Sequence, residues 1–267
     1  IRYSMHKRET SKIILIAIAI MALIVVLAWM TGTSEPDILD VPETEQAEQP
    51  VPDFKAIEDT TEKKKAFFAY LKPEVEKQND YLLSLRHYLQ TLQRQLAAGN
   101  SLTEDDDERL EWLAGEYRVD RDLPADAQIP KLLNKVDILP VELVLMQAAN
   151  ESAWGTSRFA QQGYNFFGLW CYKKGCGFVP ARRNSGASHE VAKFENLSRA
   201  TYTYMRNINR HDAYRELRHI RASLRRAQLP VTGLALAEGL MNYSERGAAY
   251  VNELQNMIRY NKGFITE

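Results

Sequence analysis

Val141-Glu142-Leu143-Val144-Leu145-Met146-Gln147-Ala148-Ala149-Asn150-Glu151-Ser152-Ala153-Trp154-Gly155 is the stretch on which the fold turns. After Pro140, the apolar residues Val144, Leu145, Ala148 and Ala149 recur at three- and four-residue steps, and Gly155 supplies a stop signal. That spacing predicts a helix with one face in a core. Glu151 falls on that face, three residues after Ala148, with Trp154 one turn further on. A carboxyl group so placed is desolvated, which raises its pKa and lets it hold a proton for general acid catalysis. The bland alternative is a half-exposed glutamate near a helix end, paired with an arginine such as Arg158.

Downstream, Gly163-Tyr164-Asn165-Phe166-Phe167-Gly168-Leu169-Trp170 is an aromatic run between glycines, too broken for a helix. Glu151-Ser152-Ala153-Trp154-Gly155 followed by Tyr164-Asn165-Phe166-Phe167-Gly168 resembles the paired motifs of glycoside hydrolase family 73, N-acetylglucosaminidases that cut peptidoglycan. From about Lys63 to Phe264 the chain is also similar to the Bax-like bacterial envelope proteins, which join such a domain to a preceding helical segment. Lys64-Lys65-Ala66-Phe67, Val136-Asp137-Ile138-Leu139-Pro140 and Cys171-Tyr172-Lys173-Lys174-Gly175-Cys176 belong to this likeness.

The resemblance implies a mainly α, lysozyme-like fold of the α+β kind, a helical catalytic domain with a small β-hairpin lobe. It implies Glu151 as general acid and Trp154, Tyr164, Asn165, Phe167 and Trp170 as substrate-binding residues. Asn242-Tyr243-Ser244-Glu245-Arg246-Gly247 resembles the family's Tyr-Ala-Thr-Asp motif only at Tyr243, which is expected at the active site, where its hydroxyl could orient the substrate's acetamido group. A second carboxylate is harder to place. Glu190 and Glu195 follow the aromatic motif, with Glu190 the stronger candidate base, and the substrate's own 2-acetamido group is the alternative nucleophile. The rival activities are a lytic transglycosylase, whose usual Gly-Leu-Met-Gln is replaced here by Gly168-Leu169-Trp170-Cys171, and a non-catalytic wall-binding scaffold.

The remaining organisation follows from composition. Residues 1–12 form a basic N-terminus, and Ile13 to Met30 carries no charged side chain. At about 1.5 Å per residue it is long enough to cross a bilayer core of roughly 30 Å. Arg2, Lys7, Arg8 and Lys12 precede it, so the rest of the chain is expected outside the cytoplasm, on the periplasmic side of the inner membrane. No convincing Ala-x-Ala site follows, which favours a retained anchor over a cleaved signal peptide. Residues 31–53 hold four prolines and many acids and read as a disordered linker.

Residues 54–130 read as a helical accessory segment, with a break or kink at Pro73 and a capping box at Ser101-Leu102-Thr103-Glu104, and residues 131–267 as the catalytic domain. Cys171 and Cys176 are the only cysteines and suit a local disulfide in an oxidising compartment. Two ligands do not close a zinc site, so neither metal nor other cofactor is expected. A net charge of -1 over 267 residues speaks against a nucleic-acid partner. The arginine-rich stretch from Tyr214 to Arg226 reads as a solvated basic helix, with contact to acidic wall peptides as the sharper alternative.

Overall fold

A computed structural model describes residues 38–180 and 189–266. The expected membrane span at 13–30, its basic flank and the first part of the linker lie outside the described residues. Among those described, no helix is long and apolar enough to cross a membrane. The chain from Val41 onward forms one unit, and that unit carries the site.

Helix α1 (Thr60–Ala97) opens where the side chain of Asp59 accepts the Glu62 amide, and it buries Phe67, Phe68, Leu71, Val75, Leu82, Leu85, Leu89 and Leu92. Of the break or kink expected at Pro73, the break does not occur, for the helix runs through it. An internal proline removes one hydrogen bond and strains one turn. The apolar stripe continues on both sides of Pro73, and its burial outweighs that local penalty. Helix α2 (Glu104–Glu116) begins two residues later than expected. Thr103 is its cap, and Asp106 accepts from both the Thr103 amide at 3.2 Å and its hydroxyl at 2.7 Å.

Helices α3 (Ala125–Lys135) and α4 (Val141–Ser152) follow. The predicted helix is α4, and it is the central element, buried on nearly every face and packed against α1, α8 (Gly233–Ala237) and α9 (Ala248–Thr266). A helix that is apolar almost all round belongs inside. Between them, α5 (Arg158–Gly163), α6 (Leu197–Arg210) and α7 (Arg215–Arg226) complete the helical frame. A three-stranded antiparallel sheet stands in place of a plain hairpin. Its central strand β3 (Glu190–Ala192) pairs with β1 (Trp170–Cys171) and β2 (Gly177–Phe178). Trp170 faces Val191 in register, and Gly177 faces Ala192.

Three expectations are corrected. The second half of the linker is not a disordered tether, for Thr44 donates to Glu74 Oε2 at 2.7 Å and Ala47 is fully buried. Its short polar side chains find partners on α1 and α6, which composition does not reveal. No boundary falls at residue 130, which lies within α3, and α1 packs directly on α4 and α6 as part of one core.

The third correction concerns α7, which is solvated only in part: Arg215, His219, Arg225 and Arg226 are exposed, but the other two arginines are not. Arg218 and Arg221 are buried, and Arg221 donates to the carbonyls of Asn134, Lys135, Asp137 and Ile138. Arg225 clasps the Asp137 carboxylate through two bonds of 2.6 and 3.1 Å. Burial brings the Arg221 pKa down to about 10, while its arginine partners hold Asp137 below the usual carboxylate range against the opposing effect of burial. Asn79 pairs in both directions with the backbone of Leu139. The approach to α4 is thereby tied to α1 and α7, and the position of Glu151 with it.

Candidate active site

Helix α4 ends abruptly. Ala153, Trp154 and Gly155 take left-handed conformations in succession, with φ of 50°, 58° and 76°. Ser152 Oγ donates to the Ala148 carbonyl at 2.6 Å and accepts the Gly155 amide at 2.8 Å, closing the end of the helix. A Cβ at Gly155 would lie 2.4 Å from the Phe54 ring, so only glycine fits there. This hook sends the chain away from α4 and leaves Glu151 on its last turn, half-buried.

Glu151 lines a cleft of about 760 Å³ together with Phe167, Gly168, Trp170, Tyr214 and Tyr243. Gly168 has φ of 65°, a left-handed conformation that favours glycine, and a Cβ there would stand at ordinary contact distance, 3.4 Å, from Glu151 Oε2, which puts the aromatic loop beside the carboxyl. Burial raises the pKa of Glu151 above its ordinary value. A hydrogen bond from Tyr250 and the nearby Arg246 oppose that rise, and Glu253 reinforces it. Arg158, the partner of the bland reading, lies instead over the rings of Phe159 and Phe178.

Behind Glu151 runs a buried polar chain. Tyr204 donates to Gln147 Oε1, Gln147 Nε2 donates to the Tyr250 hydroxyl at 3.1 Å, and Tyr250 is bonded to Glu151. Gln147 and Tyr204 are fully buried, and Tyr250 nearly so. Tyr250 and Gln147 carry no motif that marks them; the only signal is that Gln147 stands on α4 one turn before Glu151, with the same face presented.

The sequence-predicted residues divide. Phe167 and Trp170 reach the cleft, Phe167 with its ring stacked on Tyr204 at 4.1 Å and 1% exposed, Trp170 with its ring 56% exposed and stacked on His189 at 4.1 Å. Trp170 therefore presents an aromatic surface open to a ligand, and Tyr172, 73% exposed, lines the same cleft. Tyr243 also reaches it, but its hydroxyl donates to the Phe167 carbonyl at 2.9 Å, so it holds the loop and has only acceptor capacity left for a ligand.

Trp154 does not line the Glu151 cleft. Its ring packs edge-on against Phe67 and Phe68, beneath Lys64, in a separate groove that also includes Tyr260. Tyr164 caps α5 and is absent from the cleft wall. Asn165 is buried and engaged: its amide donates to the Leu169 and Ala192 carbonyls, both at 2.8 Å, and its oxygen accepts the Leu169 amide. It clasps the aromatic loop to β3 and has no group left for a sugar.

Glu190 likewise departs from the role expected of it. Both of its oxygens accept backbone amides, from Gly175 at 3.0 Å and Gly177 at 2.9 Å, and the residue is 5% exposed. It secures the loop closed by the Cys171–Cys176 disulfide and is not part of the cleft wall. Ligand atoms of Cys171, Cys176 and Glu190 lie within 4.8 Å of one another, but the paired sulfurs offer no thiolate to a metal. Glu195 is exposed and also absent from the wall. Among the described residues lining the cleft, Glu151 is the one carboxyl group.

A helix-borne, partly buried glutamate beside an aromatic loop is accompanied by a direct match. Residues 127–263 fit the glucosaminidase family model, described as mannosyl-glycoprotein endo-beta-N-acetylglucosaminidase. The chain belongs to the glucosaminidase family. It is 32% identical over 220 residues to "Protein bax" of Escherichia coli (strain K12), covering 80% of this chain and 76% of that one, and is a Bax-like protein with a glucosaminidase domain. No solved structure matches it significantly. The glucosaminidase match starts inside α3 and so leaves out α1, although α1 supplies the floor on which α4 and the hook at Trp154 rest. The glucosaminidase domain places the chain in a peptidoglycan-related glycosidase family with a mainly helical, lysozyme-like fold.

Proposed function

We propose that this protein is a membrane-anchored endo-β-N-acetylglucosaminidase that cleaves the β-1,4 bond after N-acetylglucosamine in peptidoglycan, with Glu151 as general acid. The observation that carries the reading is a single carboxyl group in the cleft, its pKa raised by burial, with the aromatic loop beside it. A raised pKa favours the protonated form that a general acid needs.

With Glu190 and Glu195 outside the cleft wall and no acid among residues 181–188, the nucleophile is assigned to the substrate. The acetamido oxygen of the N-acetylglucosamine attacks its own anomeric carbon as the bond to the leaving oxygen breaks, and Glu151 transfers its proton to that oxygen. Water then opens the oxazolinium at the anomeric carbon, and the Glu151 carboxylate takes up the proton released. Two inversions retain the β configuration. Tyr250 and Arg246 support the carboxylate during its ionised interval. Trp170 offers its exposed face to a sugar ring. The run from Ile13 to Met30, with its basic flank, supports anchorage with the domain outside the cytoplasm.

The test is the chemistry of the product. The purified full chain incubated with sacculi is expected to release fragments ending in reducing N-acetylglucosamine that retain the β configuration when first formed. Anhydro-muramyl ends would assign a lytic transglycosylase instead, and binding without release a scaffold.

A further inference from the structure

The cleft that holds Glu151 is also lined by Arg118, Arg206 and Arg210. A neutral N-acetylglucosamine chain gives no reason for three guanidinium groups along its path. Arg206 is paired with Glu116, and Arg210 Nη1 donates to the Glu116 carbonyl at 3.0 Å. The Nε of each is buried without a hydrogen-bond partner in the structure. Arg118 is exposed, carried on a left-handed residue (φ 52°) just beyond the end of α2. Lys135 lies behind them, its ammonium donating to the Tyr117, Arg118 and Arg210 carbonyls.

The acids facing this group are Glu116, shared with the Tyr202 hydroxyl at 3.0 Å, and Asp212 near Lys135. Three arginines and a lysine thus stand against two carboxylates. In keeping with surplus positive charge, Arg210 is shifted below its ordinary pKa, first by burial and then by Arg206 and Arg118. Guanidinium forks match carboxylates in shape and hydrogen bonding, and three of them line this one cleft.

We propose that Arg118, Arg206 and Arg210 form a carboxylate-binding subsite that takes the free carboxylates of the peptide carried by the sugar next to the bond at Glu151. The inference rests on the peptidoglycan reading for its ligand, and the site would then select peptide-bearing strands.

Binding tests it independently of cleavage. The full-length protein is sedimented with native sacculi and with sacculi whose peptide carboxylates have been converted to amides by carbodiimide and ammonia, which leaves glycan and peptide in place. Native sacculi are expected to bind at least about tenfold more tightly, the scale of one lost charge-assisted pair. In Arg118→Gln that preference should shrink toward unity. Arg118 is exposed, so this variant is expected to fold, and its thermal transition checks that. Equal binding of native and amidated sacculi by the unaltered protein would overturn the proposal, as would an undiminished preference in folded Arg118→Gln. If preference is present but no reducing N-acetylglucosamine is released, the catalytic reading fails and the subsite stands. Release without preference has the opposite meaning.

Discussion

The Tyr250 hydroxyl is hydrogen-bonded to the carboxyl of Glu151 and is itself held by Gln147 Nε2 at 3.1 Å. A phenol that donates to a carboxylate favours its ionised form. Tyr250 therefore restrains a pKa that burial would otherwise drive higher.

Replacing Tyr250 by Phe is expected to raise the Glu151 pKa further, so the basic limb of the pH profile of kcat/KM moves to higher pH. Gln147 is left with a buried donor, an expected loss of about 1–3 kcal/mol of stability. Activity measured against pH, with urea unfolding alongside, checks both. An unmoved basic limb would disconnect Tyr250 from the acid.

Glu151 itself opposes folding near neutral pH. Its folded pKa is raised, so its contribution is most favourable below the unfolded carboxyl range and is lost as pH rises through the folded value. Glu151→Gln removes that ionisation. The variant is expected to melt at a higher temperature than the parent at about pH 8, with the difference closing toward about pH 4, below the unfolded value. Thermal scans at the two pH values decide it.

Asp137 behaves in the opposite sense. Its folded pKa is lowered by Arg225, Arg221 and Arg86, so it contributes stability above the unfolded carboxyl range that is lost as pH falls through the folded value. Asp137→Ala leaves Arg221 buried without its counter-ion and should cost about 3–5 kcal/mol near neutral pH, measured by urea unfolding.

Glu190→Gln separates a strap from a base. A glutamine can accept one of the two amides that Glu190 now holds, and its NH2 confronts the other. The loop around the disulfide should loosen and KM rise, with kcat falling by less than about tenfold. A general base would cost a hundredfold or more.

Much of this was legible in advance. The periodicity after Pro140 marks α4 and its end, and the two cysteines mark their bond, because both signals are local. What was not legible is what distant segments do with polar groups. Arg221 of α7 looks solvated until the backbone carbonyls between α3 and α4 are placed against it. Asn165 and Glu190 look available until loop amides and carbonyls claim every atom. Trp154 reads as a binding residue by its neighbour Glu151, but three left-handed residues turn its ring toward α1.

The central claim is that Glu151 donates the proton, and the rate of reducing-end release from sacculi by Glu151→Gln, set beside its binding to the same sacculi, tests it most directly. The account predicts release reduced by about a hundredfold or more with binding retained. Cleavage by the folded variant at close to the parent rate would contradict it.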